Sequence, residues 1–246
     1  MTTNIRSNIV GSLPQEMLSE ILTHVASNSI TDFVNFRLSC KAFLEASNHA
    51  YIFGNVSLEK FDFIPRTKSE ENFQNLCKAA NNPEALYRRG MIDCFSRRKP
   101  KSGLRWLRKA TERGHVEAIY TYGIILICFG GKLREEGHQV VKSLGLVKFN
   151  KTSLRIVVGC RSKTEKAFSR MWVYVGLPSP KQVDCGCDRE RPKCRGSRMD
   201  QAWQPSNLCT CYDSCFWDHE ATLFSNLVGK YLIQNHSVPG WLSTCK

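Results

Sequence analysis

The chain has 246 residues, of which 42% are hydrophobic and 23% are charged, so it can bury a sizeable core in one or two domains. No apolar run approaches the roughly 18 residues that a membrane span needs, and the N-terminus lacks the long apolar core of a signal peptide. We therefore expect a protein of the nucleus and/or cytoplasm with no membrane partner, whose 12 cysteines are mostly thiols or metal ligands rather than disulfides.

The first predicted elements are three helices within residues 12–53. Ser12 could cap the first helix, and Pro14 suits its first position because a missing N–H costs nothing there. Asn28-Ser29 should end this helix, and Thr31 or Asp32 could cap the next. A core of this size is marginal alone, so an exposed apolar surface would be a natural partner-binding face. One face of the first helix collects Leu18, Ile21, Leu22 and Val25.

The order and spacing of these residues resemble the F-box motif. The match consists of the Leu-Pro start, the Ile-Leu pair that follows it on the helix, and the later cluster with Arg37, Lys41 and Phe43. The resemblance implies docking on a Skp-family adaptor protein of a cullin ubiquitin ligase complex. The residues it implies for adaptor binding are Leu13, Pro14, Glu16, Leu18, Ile21, Leu22, Cys40, Lys41 and Phe43.

An internal repeat follows a connector over residues 54–74, in which Ser69 could open a capping box. The pattern Glu-Ala-x-Tyr-x-x-Gly occurs at 84–90 and again 33 residues later, at 117–123. Between the two copies lies a helical segment with Gly114 at its stop. The matching residues are Glu84, Ala85, Tyr87, Gly90, Trp106, Leu107, Lys109, Ala110, Gly114, His115, Glu117, Ala118, Tyr120 and Gly123.

This repeat resembles the Sel-like branch of tetratricopeptide-type repeats, over a predicted region of residues 70–175. The resemblance implies closely paired helices and structural roles for Trp106 and His115. The second copy decays after Gly131, so flanking helices must complete the stack. Residues 151–159 could form a helix or a short strand, and residues 165–174 could form another helix that ends at the Gly176–Pro180 segment.

Cysteines are concentrated in the predicted third region, residues 181–235, before a predicted helix from Phe216 to Leu232. Thiolates and imidazoles are zinc ligands, and a metal would explain how a polar segment could fold. The expected cofactor is a structural zinc ion held by a four-ligand subset that stays open, with plain thiols as the alternative. The possible ligands are Cys185, Cys187, Cys194, Cys209, Cys211, Cys215 and His219.

Taken together, the elements predict a mainly all-α protein: a three-helix F-box, a helical repeat stack and a Cys-rich segment with a C-terminal helix. Its predicted function is a non-catalytic subunit of a Skp-cullin-F-box ligase that recruits an unknown protein substrate, resembling a plant F-box group. The alternative is a zinc-stabilised basic protein that binds nucleic acid, because the net charge is +13 and residues 88–113 carry ten Lys/Arg against Asp93 and Glu112. The basic run Arg97–Lys101 could be a nuclear localisation signal or a solvated loop, and nucleic acid is the less favoured partner.

Overall fold

The computed structural model confirms the all-α prediction. It describes residues 13–145, 151–178, 180 and 213–232; for residues 151–154 and 213–215 it gives the helix but not the side chains. Within these residues the regular elements are α-helices and one π-helical turn at Ile92–Ser96, and no helix there is both long and apolar enough to cross a membrane. The helices are α1 (Gln15–Asn28), α2 (Ile30–Ser39), α3 (Lys41–Ala46), α4 (Ala50–Asn55), α5 (Lys68–Ala79), α6 (Pro83–Met91), α7 (Pro100–Glu112), α8 (Val116–Phe129), α9 (Gly131–Lys142), α10 (Lys151–Phe168) and α11 (Asp213–Tyr231).

The chain divides into two compact units, residues 1–86 and 87–246, so the division falls within α6. The first unit is larger than the predicted segment 12–53, because the residues after α4 add to the same core. Asn82 ties this part together: its Nδ2 donates to the carbonyls of Phe53 and Val56 at 3.1 and 2.9 Å. The buried apolar core comprises Leu18, Leu22, Ala26, Phe33, Phe43, Ala46, Ile52, Val56, Leu58, Cys77 and Ala85.

The helix caps in this unit differ from the predicted ones by a few residues. Pro14 is the N-cap of α1 rather than its first helical residue. Ser29 ends α1 and also caps α2, accepting a hydrogen bond from the Asp32 N–H at 3.3 Å. Thr67, not Ser69, caps α5 through the Glu70 N–H at 3.2 Å. For Ser29 and Thr67, a hydroxyl just before the first turn satisfies a helix N–H that has no partner within the helix, whereas Pro14 makes no side-chain cap hydrogen bond.

The second unit contains the repeat, and the two copies match in three dimensions as well as in sequence. Gly90 on α6 lies so close to α7 that a Cβ there would come within 2.7 Å of Leu107. At the equivalent point of the second copy, a Cβ on Gly123 would come within 3.1 Å of the Gly137 carbonyl on α9. The second copy is therefore a complete helical hairpin, although its sequence is degenerate.

Helices α10 and α11 complete the stack that the sequence left open. Helix α8 contacts α7, α9, α10 and α11, which explains why most of its side chains are buried, including Tyr120, Ile124 and Ile127. Residues 151–168 form one helix, which removes the strand alternative. The helix predicted over 165–174 ends at Phe168 instead, and the following segment is held by the Tyr174 N–H, which donates to the Phe95 carbonyl at 2.8 Å.

Candidate partner-binding face

The first three helices form a small bundle whose inner face is apolar. Leu18, Leu22 and Ala26 recur every four residues on α1 and are almost fully buried. Helix α2 contributes Phe33, which is 1% exposed, and α3 contributes Phe43. This inner face uses the apolar side chains that a helix of 3.6 residues per turn can bury on one side.

A second group of apolar side chains in the same helices is exposed. On α1, Met17 and Ile21 lie one turn apart and are 49% and 39% exposed. On α2, Val34 and Leu38 have the same spacing, and Leu38 is 77% exposed. We call this group the exposed apolar set. Its members are Met17, Ile21, Val34, Phe36, Leu38 and Leu44.

Helix α2 is the unusual element, because half of its ten residues are apolar while Phe33 alone is fully buried. Exposed apolar area costs about 25 cal/mol per Å² compared with burial, so side chains of this kind are a common sign of a partner surface. Phe36 is 37% exposed and meets Phe43 edge-to-face, with ring centroids 5.3 Å apart. This aromatic contact joins the exposed set to the core and orients it.

The predicted adaptor-binding residues fall into three groups. Leu18, Leu22 and Phe43 belong to the core, so they can support a docking surface but offer little area to a partner. Leu13 and Cys40 are half-buried against that core. The exposed group is Pro14, Glu16, Ile21 and Lys41.

Lys41 is mostly solvated and lies 3.7 Å from Glu45, one turn further along α3. An exposed pair of this kind contributes little to stability.

Sequence reasoning omitted Met17, Val34, Phe36, Leu38 and Leu44 from the site. The available signal was that the apolar residues of α2 do not all fit on one helical face.

Polar groups in the second unit fix its helices rather than form an open site. Glu220 on α11 is 1% exposed and accepts hydrogen bonds from Arg161 Nε at 2.6 Å and from the Tyr120 hydroxyl at 2.5 Å. Burial and the Glu220 carboxylate raise the pKa of Tyr120, so its hydroxyl stays a donor.

Asp218 on α11 accepts a hydrogen bond from Arg134 Nε at 2.9 Å, and its carboxylate lies 3.2 Å from His138 Nε2. Burial alone would raise the pKa of Asp218, but the hydrogen bonds from His138 and Arg134 outweigh it and lower that pKa.

His115 and Trp106, for which the repeat resemblance implies structural roles, both make packing contacts. His115 caps α8 by accepting from the Ala118 N–H at 3.2 Å, and its ring stacks on Tyr87 at 4.9 Å. Trp106 is half-buried, with Arg105 and Lys109 over its ring at 5.2 Å each. Ala118 is fully buried on α8, whereas Ala85 packs into the core of the first unit.

The predicted zinc ligands lie almost entirely outside the described residues. Of the seven, only His219 has a described side chain; burial is the largest cause of its lowered pKa, and Arg161 adds to the effect. Among the described side chains, no three His, Cys, Asp or Glu residues converge to hold a metal. Burial raises the pKa of the Cys128 and Cys160 thiols to about 12, so these two stay protonated and behave as core residues.

The geometry defines a class: a helical protein with an N-terminal three-helix bundle that exposes apolar side chains, followed by tetratricopeptide-type hairpins. The family model for plant tetratrico peptide repeats matches residues 58–169. No solved structure matches the chain at a significant level.

Curated relatives come from Arabidopsis thaliana and are named as F-box proteins. F-box protein At2g35280 is 30% identical over 138 residues, which cover 56% of this chain and 83% of that protein. At1g67623 is 34% identical over 161 residues, which cover 65% of this chain and 54% of that protein. F-box protein At5g50450 is 25% identical over 126 residues, 50% of this chain and 38% of that protein.

The chain thus spans about half of the length of At1g67623 and less of At5g50450. It belongs to the F-box proteins, and its residues 58–169 match the model of the plant tetratrico peptide repeats.

Proposed function

We propose that this protein is the substrate-recruiting subunit of a Skp-cullin-F-box ubiquitin ligase. Its first three helices bind a Skp-family adaptor, and the rest of the chain binds the protein to be ubiquitinated. The subunit itself is non-catalytic, because proximity to the ligase is all that it supplies. The observation that carries the proposal is the exposed apolar set on the helices that resemble the F-box motif.

Burial of the exposed apolar set would supply the binding energy. A fully buried aliphatic side chain is worth roughly 1.5–3 kcal/mol, and association has its own cost, so most members of the set must be buried together to give appreciable affinity. The core residues Leu18, Leu22 and Phe43 hold the three helices in place, and Leu13 packs at the entry of α1. The predicted contacts of Pro14, Glu16, Cys40 and Lys41 are part of the same proposal.

The experiment is an adaptor pull-down with the full chain and two matched variants. Val34→Asp with Leu38→Asp places two charges on α2, at side chains that are 43% and 77% exposed. The control, Leu76→Asp with Trp172→Asp, makes the same change at exposed apolar side chains outside the three helices.

We expect the first variant to bind at least about tenfold more weakly and the control to bind normally, because only the first buries charge in the complex. Both variants should keep their melting temperatures, since all four positions are exposed. Normal adaptor binding by the first variant would overturn the proposal.

A further inference from the structure

A row of four cations runs along the outer side of α7 and its C-cap. Lys101, Arg105, Lys109 and Arg113 follow one another at intervals of four residues, and all four are exposed. Four residues of α-helix correspond to a rise of about 6 Å and a rotation of about 40° beyond a full turn. The four side chains therefore lie along one side of the helix, and we call them the α7 cation row.

Helix α7 does not neutralise this row. Arg108, on the same helix, pairs with Glu112 at 3.1 Å, the ordinary arrangement for helix surfaces. In the part of the chain that the structure describes, no member of the row has such a carboxylate partner. Like charges four residues apart destabilise a helix, and Lys101 also lies near the positive end of the α7 dipole.

The only ring contact of the row within the described residues is with Trp106. Arg105 and Lys109 both lie over its indole at 5.2 Å. This contact holds two of the cations on the surface at a defined spacing. A nucleic-acid base that stacked on Trp106 would have to displace a cation first, so the arrangement does not provide the free aromatic face that single-strand binding requires.

We infer that the α7 cation row is a recognition site for an acidic segment of the protein substrate. The inference rests on the proposed function and adds the chemistry of the target. Charge complementarity is the basis: successive residues of the row rise about 6 Å along the helix axis, close to the spacing of alternate residues in an extended peptide and of every fourth residue in a helix. A segment with Glu or Asp at either spacing would pair with successive cations and remove the repulsion between them.

The test uses the full chain and a fluorescent peptide of about ten glutamates, with a glutamine peptide of equal length as the uncharged comparison. The row variant changes Lys101, Arg105, Lys109 and Arg113 to Gln. The control variant changes Lys132, Lys142, Lys166 and Arg170 to Gln, which removes the same charge from other exposed positions of the same unit. A single-stranded oligonucleotide of similar charge is titrated in parallel, and adaptor binding is measured on every sample.

We expect the wild-type chain to bind the acidic peptide, the row variant to bind it at least about tenfold more weakly, and the control to differ by less than about twofold. The row variant should melt close to wild type, because the loss of three repulsive pairs offsets the loss of the two cation contacts with the Trp106 ring. The inference is overturned by a wild-type chain that does not bind the peptide, by equal losses in both variants, or by a preference for the oligonucleotide. If the wild-type chain still binds the adaptor in any of these cases, the proposed function stands. If the wild-type chain binds the peptide normally but not the adaptor, only the proposed function is contradicted.

Discussion

At the scale of single residues, the buried carboxylate of Glu220 is the contact that joins three helices of the second unit. It lies 100 residues from Tyr120 and 59 from Arg161 in sequence, yet it accepts hydrogen bonds from both. A buried charge pair that loses one partner leaves the other charge without compensation. The contact therefore fixes where α11 lies against α8 and α10, and removing either charged partner should be costly.

We expect Glu220→Gln to lower the free energy of unfolding by about 3–5 kcal/mol, because Arg161 would keep its charge in a buried position. Glu165→Gln is the matched control: Glu165 pairs with Lys230 at 3.5 Å, and both side chains are solvated. The control should cost less than about 1 kcal/mol. Urea unfolding followed by circular dichroism measures both variants, and equal losses would show that the buried pair has no special role.

The residue scale also shows where sequence reasoning stopped. Periodicity placed Leu18, Ile21 and Leu22 on one face, but the inner side of α1 is too narrow for all three, and Ile21 is exposed. Local pattern could not identify the partner of Glu220, because both partners are distant in sequence. Helix caps were misplaced by two or three residues because several neighbouring side chains, such as Ser29 and Thr31, can each accept a cap hydrogen bond.

At the scale of helices, close approach within each hairpin depends on glycine. A Cβ on Gly137 would come within 2.6 Å of the Gly123 carbonyl and within 2.9 Å of the Ile127 backbone nitrogen, and neither backbone atom can turn aside. Gly159, on α10, has no atom within 4 Å of the position that a Cβ would occupy. The two glycines are thus a matched pair, one at a helix contact and one in open space.

We predict that Gly137→Ala destabilises the protein by about 1–3 kcal/mol, because α8 and α9 must separate to admit the methyl group. Gly159→Ala should stabilise it by up to about 1 kcal/mol, since alanine is the better helix former. Thermal unfolding of the two variants tests this. A stabilising Gly137→Ala would mean that the hairpin is looser than the structure shows.

The repeat was the best-predicted part of the fold, because residues 84–90 and 117–123 share both sequence and offset. Judged by sequence alone, the segment that forms α9 is a decayed part of the second copy. The helix still packs on α8, because its packing depends on small side chains such as Gly137 and not on the full family pattern. Flanking helices were expected to complete the stack, and α10 does so, whereas the terminal helix α11, predicted as part of the Cys-rich region, also packs on α8. Which residues of α10 and α11 face α8 could not be read from a sequence with mixed polarity.

At the scale of the whole molecule, zinc remains our proposal for the Cys-rich segment. Five of the seven proposed ligands lie outside the described residues, and so does the side chain of Cys215. Clustered thiolates repel one another unless a cation or protons compensate them, so a structural metal would stabilise this segment.

The zinc proposal predicts about one or two zinc ions per chain in protein purified under reducing conditions. A chelator should then change protease sensitivity within residues 181–220 while the helices of the first unit stay folded. Mass-spectrometric metal analysis measures the number of zinc ions per chain. Less than about a tenth of an equivalent would favour plain thiols, because a structural site binds zinc tightly enough to survive purification.

The central claim is that the N-terminal helices dock on a Skp-family adaptor, and calorimetric titration of the full chain with that adaptor tests it most directly. We predict saturable one-to-one binding with a negative heat-capacity change, because docking buries the exposed apolar set. The double variant Val34→Asp with Leu38→Asp should lose most of the saturable binding and most of the heat-capacity change. Absence of saturable binding by the folded wild-type chain, or binding with no heat-capacity change, would contradict the claim.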